Sequence, residues 1–427
     1  MLIAIAAVAV LLLIAGFEMF LVLGLPTLLV KEGYFARLPD PAVVQKIFGG
    51  IDHTTLLAIP FFVLAANLMA SGRIAKDLTG LMQALLGHTR GGMGHVTVGG
   101  SMAFGAVSGS APATVAALGG LVYPEMRRTG FSERFSVGLL ASSAETALLI
   151  PPSITFIVYG WMTGTSIAQL FAAGLAVGLV LGLAFAIMVE IEARRSGVRP
   201  AERTSAAQRL AALKAAIWAI GMPVIILGGI YSGMTTPTEA AVVSVVYAIV
   251  VEMLIYRDIG PRKLVSITEQ AAIGTTVIFI LLAMGGLISY FVTMAQVPAQ
   301  ITAALAAMEA GPVTFLIIVN ILFLIAGMFI DPNSAMLILI PPLFPVAQSL
   351  GIDPVHFGMI VTLNISLGMI TPPFGLDIFV TASTLKLPVL SVMRGVLPFI
   401  AVNVIVLLIV TYVPSISLFV PRLIFGG

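Results

Sequence analysis

The 427-residue sequence contains no cysteine, which excludes disulfides, cysteine-ligated zinc and thiol catalysis together. Charge is nearly as scarce. Asp, Glu, Lys and Arg make up 9% of the chain, against roughly 25% in soluble domains, so most of its surface is not built to face water. The formal net charge is only +2, and the basic residues fall in short loops, so no face suits a nucleic acid. The four histidines are His53, His88, His95 and His356, and no HExxH zinc pattern occurs. The amino-terminal MLIAIAAVAVLLLIAGFEMF lacks a cationic leader and an evident cleavage site, and is expected to be a retained first span.

What is present is apolar: 59% of residues are hydrophobic, with a mean hydropathy of +1.12. A membrane helix needs about 20 apolar residues. Spans are expected near 2–24, 47–70, 74–89, 135–164, 167–192, 214–232, 238–256, 267–291, 355–385 and 394–416. The fold class is therefore an all-α polytopic membrane protein, with one membrane domain over 1–427 and no soluble domain left over. Two more apolar stretches, 92–122 and 313–347, are interrupted midway by Ser108-Gly109-Ser110-Ala111-Pro112 and by Asp331-Pro332-Asn333-Ser334. A polar break there suggests two half-helices folded back as a re-entrant hairpin. Such backbone survives at membrane depth only when buried in protein or lining a wet cavity.

Lys and Arg set the orientation. The loop 193–213 carries Arg194, Arg195, Arg199, Arg203 and Arg209 and is expected to be cytoplasmic, as are 125–134 and 257–263. By contrast, 292–312 and 348–354 contain neither Lys nor Arg and suit the outside. Counting spans between these anchors makes the first hairpin insert from the cytoplasm and the second from outside, an inverted-topology repeat. A shift of 221 positions takes Ser110 to Asp331, Pro124 to Pro345, Gly130 to Gly351 and Pro151-Pro152 to Pro372-Pro373. The first repeat is placed at about 1–192 (hairpin 92–122, broken helix 135–164) and the second at about 214–427 (hairpin 313–347, broken helix 355–385).

The chemistry concentrates at Glu145-Thr-Ala-Leu-Leu-Ile-Pro-Pro-Ser153 and Ser366-Leu-Gly-Met-Ile-Thr-Pro-Pro-Phe374. Proline removes an N–H and clashes with the preceding turn, so each pair breaks its helix and frees carbonyls near 147–150 and 368–371. An unsatisfied polar group in hydrocarbon costs several kcal/mol. Broken transporter helices offer such oxygens to Na⁺ or H⁺. The bland alternative is a pair of proline kinks satisfied by neighbouring helices.

The runs SGSAPATVAALGGLVYPEMRRTGF, LIPPSITFIVYG, TPTEAAVVSVVYA and GMFIDPNSAMLILIPPLFPVAQSLGIDPVHFGMIVTLNISLGMITPPFGLDIFV resemble the large, DctM-like membrane subunit of tripartite ATP-independent periplasmic (TRAP) transporters, over nearly the whole chain. The resemblance implies an elevator-type, Na⁺-coupled importer of a small organic acid in the cell inner membrane. It also implies two partners, a small four-helix membrane subunit and a soluble periplasmic substrate-binding protein. Carried over by motif, one Na⁺ site uses Ser108, Ser110, Ala147, Ile150 and Ser153. The other uses Gly327, Gly368, Thr371 and Phe374, largely through backbone carbonyls. Ala147 stands where the family commonly has Gly, and Thr114 where many members have Asp.

The intramembrane acids are Glu18, Glu145, Asp331 and Asp377, functional candidates by default. Glu145 and Asp331, with Asn333, Asn364 and Ser366, are candidates for a common substrate cavity; for Asp331 the competing reading is a half-helix cap. That cavity is expected to hold no Lys or Arg, leaving bound Na⁺ and half-helix N-termini to neutralise an anion. Thr236-Pro-Thr-Glu239 has capping-box spacing. Two other functions fit parts of the pattern. A single-component Na⁺-coupled anion transporter shares the paired breaks, and Ala106-Val-Ser108-Gly109 is one residue from a Gly-x-Ser-Gly nucleophile, which without a placed base is weak.

Overall fold

A computed structural model describes residues 2–198 and 203–426, and among these the chain is a bundle of α-helices without a strand. Arg199 of the basic loop lies outside the described residues. α1 (Leu2–Ile14) and α2 (Met19–Tyr34) divide the expected first span, because the chain turns at Gly16 with φ +76°. Glu18 sits at that turn, exposed, and caps nothing. α3 (Asp40–Gly49) bends by 52° into the segment Thr54–Ala70, whose body is α4 (Ala58–Ala70), and α5 (Ile74–Leu86) follows.

The first interrupted stretch is a hairpin of α6 (Gly92–Ser108) and α7 (Ala111–Thr129). A broken helix comes next: α8 (Glu133–Ala144), the single turn α9 (Thr146–Leu149) and α10 (Ile154–Thr163), with a 43° bend. α11 (Ile167–Arg195), α12 (Ala206–Tyr231), α13 (Pro237–Ile249) and α14 (Pro261–Met294) are long spans, α13 running on in π geometry through Val250–Ile255. Thr236 and Glu239 close a reciprocal capping box at the start of α13. The segment 292–312, which has no Lys or Arg, is not all loop, since it contains α15 (Val297–Ala307). Missing Lys and Arg bear on the expected side of the membrane and not on conformation.

The second hairpin is α16 (Pro312–Phe329) and α17 (Pro332–Ser349), and the second broken helix is α18 (Pro354–Met369) and α19 (Leu376–Leu385). The chain ends with α20 (Val389–Tyr412) and α21 (Pro414–Phe425). Pro414 cannot continue α20 but suits the first turn of a new helix, so the last expected span is followed by a short helix.

Helix ends follow the 221-position offset. α6 and α16 end at Ser108 and Phe329, α7 and α17 begin at Ala111 and Pro332, and α8 and α18 begin at Glu133 and Pro354. The local causes match too. Gly130 and Gly351 adopt φ +106° and +75°, a left-handed turn that costs glycine nothing. Ser132 and Asp353 then cap α8 and α18, accepting from Phe135 N at 3.1 Å and from Val355 N at 2.8 Å.

Six helices among the described residues are long and apolar enough to cross a membrane, or up to eight if each bent pair counts once. α12, α13 and α14 expose Ile217, Val224, Val246, Ile273 and Val277, as lipid-facing surfaces do. One continuous apolar core joins both hairpins, both broken helices, α11 and α20.

Candidate functional site

Each hairpin packs its first arm and tip against the break of the neighbouring broken helix. In the first half α6 stops at Ser108, Gly109 turns with φ +59°, and Ser110 caps α7 through Ala113 N at 3.4 Å. A Cβ on Gly109 would lie 2.5 Å from the Pro152 carbonyl oxygen, and one on Gly105 would lie 2.6 Å from Ala147 Cα. The tip is therefore nested in the break, backbone against backbone. Ser108, Ser110, Ala147, Ile150 and Ser153 fall in this one unit.

The first break is poor in donors. Ile150 N donates to Thr146 O at 2.8 Å, and the next two residues are prolines, which have no N–H. Among the described residues no donor reaches the carbonyl oxygens of Ala147, Leu148, Leu149 or Ile150. Ser153 Oγ is fully buried and also without a partner. Ser108 Oγ lies 3.2 Å from Thr114 Oγ1, which donates to Ser110 O at 2.8 Å. The result is a cluster of oxygens with a deficit of hydrogens, which suits a hard cation.

The second unit repeats the contact with a smaller deficit. A Cβ on Gly368 would lie 2.5 Å from Gly327 Cα, so the two strands of backbone touch. Phe329 and Phe374 rings lie 5.5 Å apart, and the Phe374 side chain is exposed. Here, however, Thr371 N donates to Gly368 O at 3.0 Å, Gly375 N to Thr371 O at 3.2 Å, and Thr371 Oγ1 to Leu367 O at 2.7 Å. The expectation of freed carbonyls near 368–371 is corrected at Gly368 and Thr371, which accept from Thr371 N and Gly375 N, while no donor among the described residues reaches those of Met369 and Ile370. Each bonded carbonyl keeps a second lone pair for a cation.

The five substrate-cavity candidates are not brought together by hydrogen bonding. Asp331 caps α17, its Oδ2 accepting from Asn333 N at 3.1 Å and Ser334 N at 3.2 Å, while Ser334 Oγ donates to Oδ1. Of the two readings for Asp331, the cap is the observed arrangement. Glu145 caps nothing and is fully buried, its Oε2 accepting from Asn403 Nδ2 of α20 at 3.0 Å. Asn364 donates to Asn320 Oδ1 at 2.5 Å, and Ser366 Oγ donates to Leu363 O within its own helix. Asn333 keeps an unpartnered Oδ1 beside the second tip. Asn320 and Asn403 escaped the sequence reading, although each is a lone polar residue in an apolar run, a signal in its own right.

A cleft of about 600 Å³ opens between α3, α10, α14 and α17, lined by Gln45, Lys46, Trp161, Ser289, Tyr290 and Thr293 among others. Lys46 Nζ sits 5.0 Å from the Tyr290 ring centroid, a cation–π distance. The absence of Lys and Arg expected of the substrate path therefore does not extend to this cleft. No group of three or more His, Cys, Asp or Glu is gathered among the described residues.

Residues 1–416 match the family described as the tripartite ATP-independent periplasmic transporter, DctM component. The chain is 39% identical over 415 residues to the ectoine TRAP transporter large permease protein TeaC of Halomonas elongata, covering 97% of each. It is 40% identical over 377 residues to the C4-dicarboxylate TRAP transporter large permease protein DctM of Pseudomonas aeruginosa, covering 88% of each. Among solved structures it is similar to the YdaH transporter of Alcanivorax borkumensis, with a TM-score of 0.58 over 90% of this chain and 88% of that one. At 14% identity that likeness concerns the fold alone.

Proposed function

Because the chain belongs to the DctM family of TRAP transporter large permeases, we propose that it carries a small organic acid across the inner membrane, coupled to Na⁺. It is a multi-pass membrane transport protein, and its relatives are permeases rather than enzymes. In the proposed cycle a periplasmic binding protein delivers the substrate, and a small membrane subunit packs on the lipid-facing spans. Both hairpins and both broken helices form the moving body of an elevator, against a scaffold of the first spans and α11–α14. Relatives named for ectoine and for C4-dicarboxylates support a small, polar organic solute. The cleft that holds Lys46 supports access for its anionic end.

The observation that carries this reading is the pairing of each hairpin with a proline break at one constant offset, the first break holding a cluster of unpartnered oxygens. Na⁺ in the first unit is held by Ser108, Ser110, Ala147, Ile150 and Ser153. In the second it is held by Gly327, Gly368, Thr371 and Phe374, chiefly through carbonyls. These cations also offset substrate charge at membrane depth, where a bare anion is costly. Reconstitution in liposomes with the small subunit and the binding protein tests it. Uptake is expected only with inward Na⁺ and all three components. Full uptake without Na⁺ would refute the coupling, and uptake by the lone chain would refute the three-part assembly.

A further inference from the structure

α8, α19 and α20 meet around polar side chains that belong to neither hairpin unit. Glu145, Asp377, Thr381 and Asn403 are all fully buried. Asn403 Nδ2 donates to Glu145 Oε2 at 3.0 Å, which places the rest of the Asn403 amide at the same spot. α19, which carries Asp377, packs against both α8 and α20, and Thr381 is one turn beyond Asp377 on the buried face of α19. Beyond the single hydrogen bond, five oxygens have no partner among the described residues: Glu145 Oε1, Asp377 Oδ1 and Oδ2, Asn403 Oδ1 and Thr381 Oγ1. Neither carboxylate pairs with Lys, Arg or His there.

Two carboxylates cannot stay charged and bare at this depth. Protonation is the competing state, since a neutral acid could donate one hydrogen, to Asn403 Oδ1 among others. A cation offsets both charges without a proton, and oxygen-only ligands are what a hard cation takes. We propose that Glu145, Asp377, Asn403 and Thr381 form a hard-cation site distinct from the two hairpin–break units. It has no copy in the repeat. The 221-position offset carries Glu145 to Ser366, and carries Asp377 and Asn403 back to Phe156 and Gly182, none of which bears charge. The site spans α8 of the first half and α19 and α20 of the second, so its occupant ties the halves together across their junction.

The test uses the purified full chain in lipid nanodiscs. Its unfolding midpoint is followed against NaCl and, separately, CaCl₂, with choline chloride holding ionic strength constant. A saturable stabilisation of the wild type is expected, and which salt gives it identifies the cation. Asp377→Asn and Glu145→Gln are expected to raise the half-saturating concentration at least about tenfold. In choline chloride alone they are expected to unfold no earlier than the wild type, since a bare charge has been removed. Thr371→Val, made in the second break, adds to the Asp377→Asn loss without replacing it. If the breaks bind no Na⁺, Thr371→Val changes nothing while the Asp377→Asn effect stays, so the two readings fail separately. Equal cation dependence in wild type and Asp377→Asn overturns the proposal. So does an Asp377→Asn chain that unfolds in choline chloride, or a stabilisation that low pH reproduces in full without added cation.

Discussion

Asn364 Nδ2, on α18, donates to Asn320 Oδ1, on α16, across 2.5 Å, inside the apolar core. In the first half Ser143, 221 positions before Asn364, meets Ser101 of α6 at 3.0 Å. Each hairpin is thus pinned to its broken helix by a side-chain hydrogen bond as well as by touching backbone. The second pin extends further: Asn320 Nδ2 donates to Thr411 Oγ1 at 3.3 Å, and the Thr411 carbonyl lies 3.2 Å from His356 Nε2. A buried polar network is costly to leave half satisfied.

Asn364→Ala is therefore expected to destabilise the chain by about 1–3 kcal/mol, since Asn320 Oδ1 loses its donor in a buried site. Ser143→Ala is expected to cost about 1 kcal/mol or less, because the Ser101 hydroxyl can turn to a carbonyl of its own helix. Thermal unfolding of the two variants in the same detergent checks the order. Equal losses would mean that the network beyond Asn320 contributes nothing.

Gly368→Ala tests the touching backbones. The new Cβ would lie 2.5 Å from Gly327 Cα, and backbone cannot swing aside as a side chain can. The expected cost is about 1–3 kcal/mol of overpacking, with transport lost at temperatures where the protein remains folded. Gly120→Ala, in the middle of α7 with nothing within 4 Å, is the control, and is expected to gain up to about 1 kcal/mol from helix propensity. Circular dichroism for folding and liposome uptake for function separate the two effects.

Ser153→Ala removes a buried hydroxyl oxygen that no donor reaches. With Na⁺ absent, little stability is lost, because no protein hydrogen bond breaks. With Na⁺ present, a ligand is gone, and the Na⁺ concentration for half-maximal uptake is expected to rise about tenfold, equivalent to about 1.4 kcal/mol. An unchanged Na⁺ dependence would remove Ser153 from the first unit.

The paired breaks were legible because proline and glycine act locally: Pro151-Pro152, Pro372-Pro373, Gly130 and Gly351 dictate backbone wherever they occur. Span existence was legible from apolar runs. The split at Gly16 was not, since one glycine within a hydrophobic stretch does not reveal whether the chain turns or continues. Nor was the difference between the two breaks. That depends on whether Thr371 and Gly375 donate their hydrogens inward, a matter of backbone path rather than residue type. Asn320, Asn364 and Asn403 read alike as lone polar residues in apolar helices, and only packing shows which partner each one finds.

Lys46 carries the last prediction. It is exposed in the cleft between α3 and α14 on one side and α10 and α17 on the other, where the proposed cycle sets the scaffold against the moving body. Among the described residues it forms no ion pair and lies only over the Tyr290 ring, so it is free to attract an anion. An exposed charge of this kind changes the encounter rate more than the final affinity. Lys46→Gln is expected to raise the apparent KM for an organic acid about threefold to tenfold while leaving maximal uptake nearly unchanged, with the effect shrinking at high salt. Lys46→Arg is expected to restore it. A fall in maximal uptake with KM unchanged would instead place Lys46 in the motion between scaffold and moving body, where its stacking on Tyr290 rather than its charge is what matters.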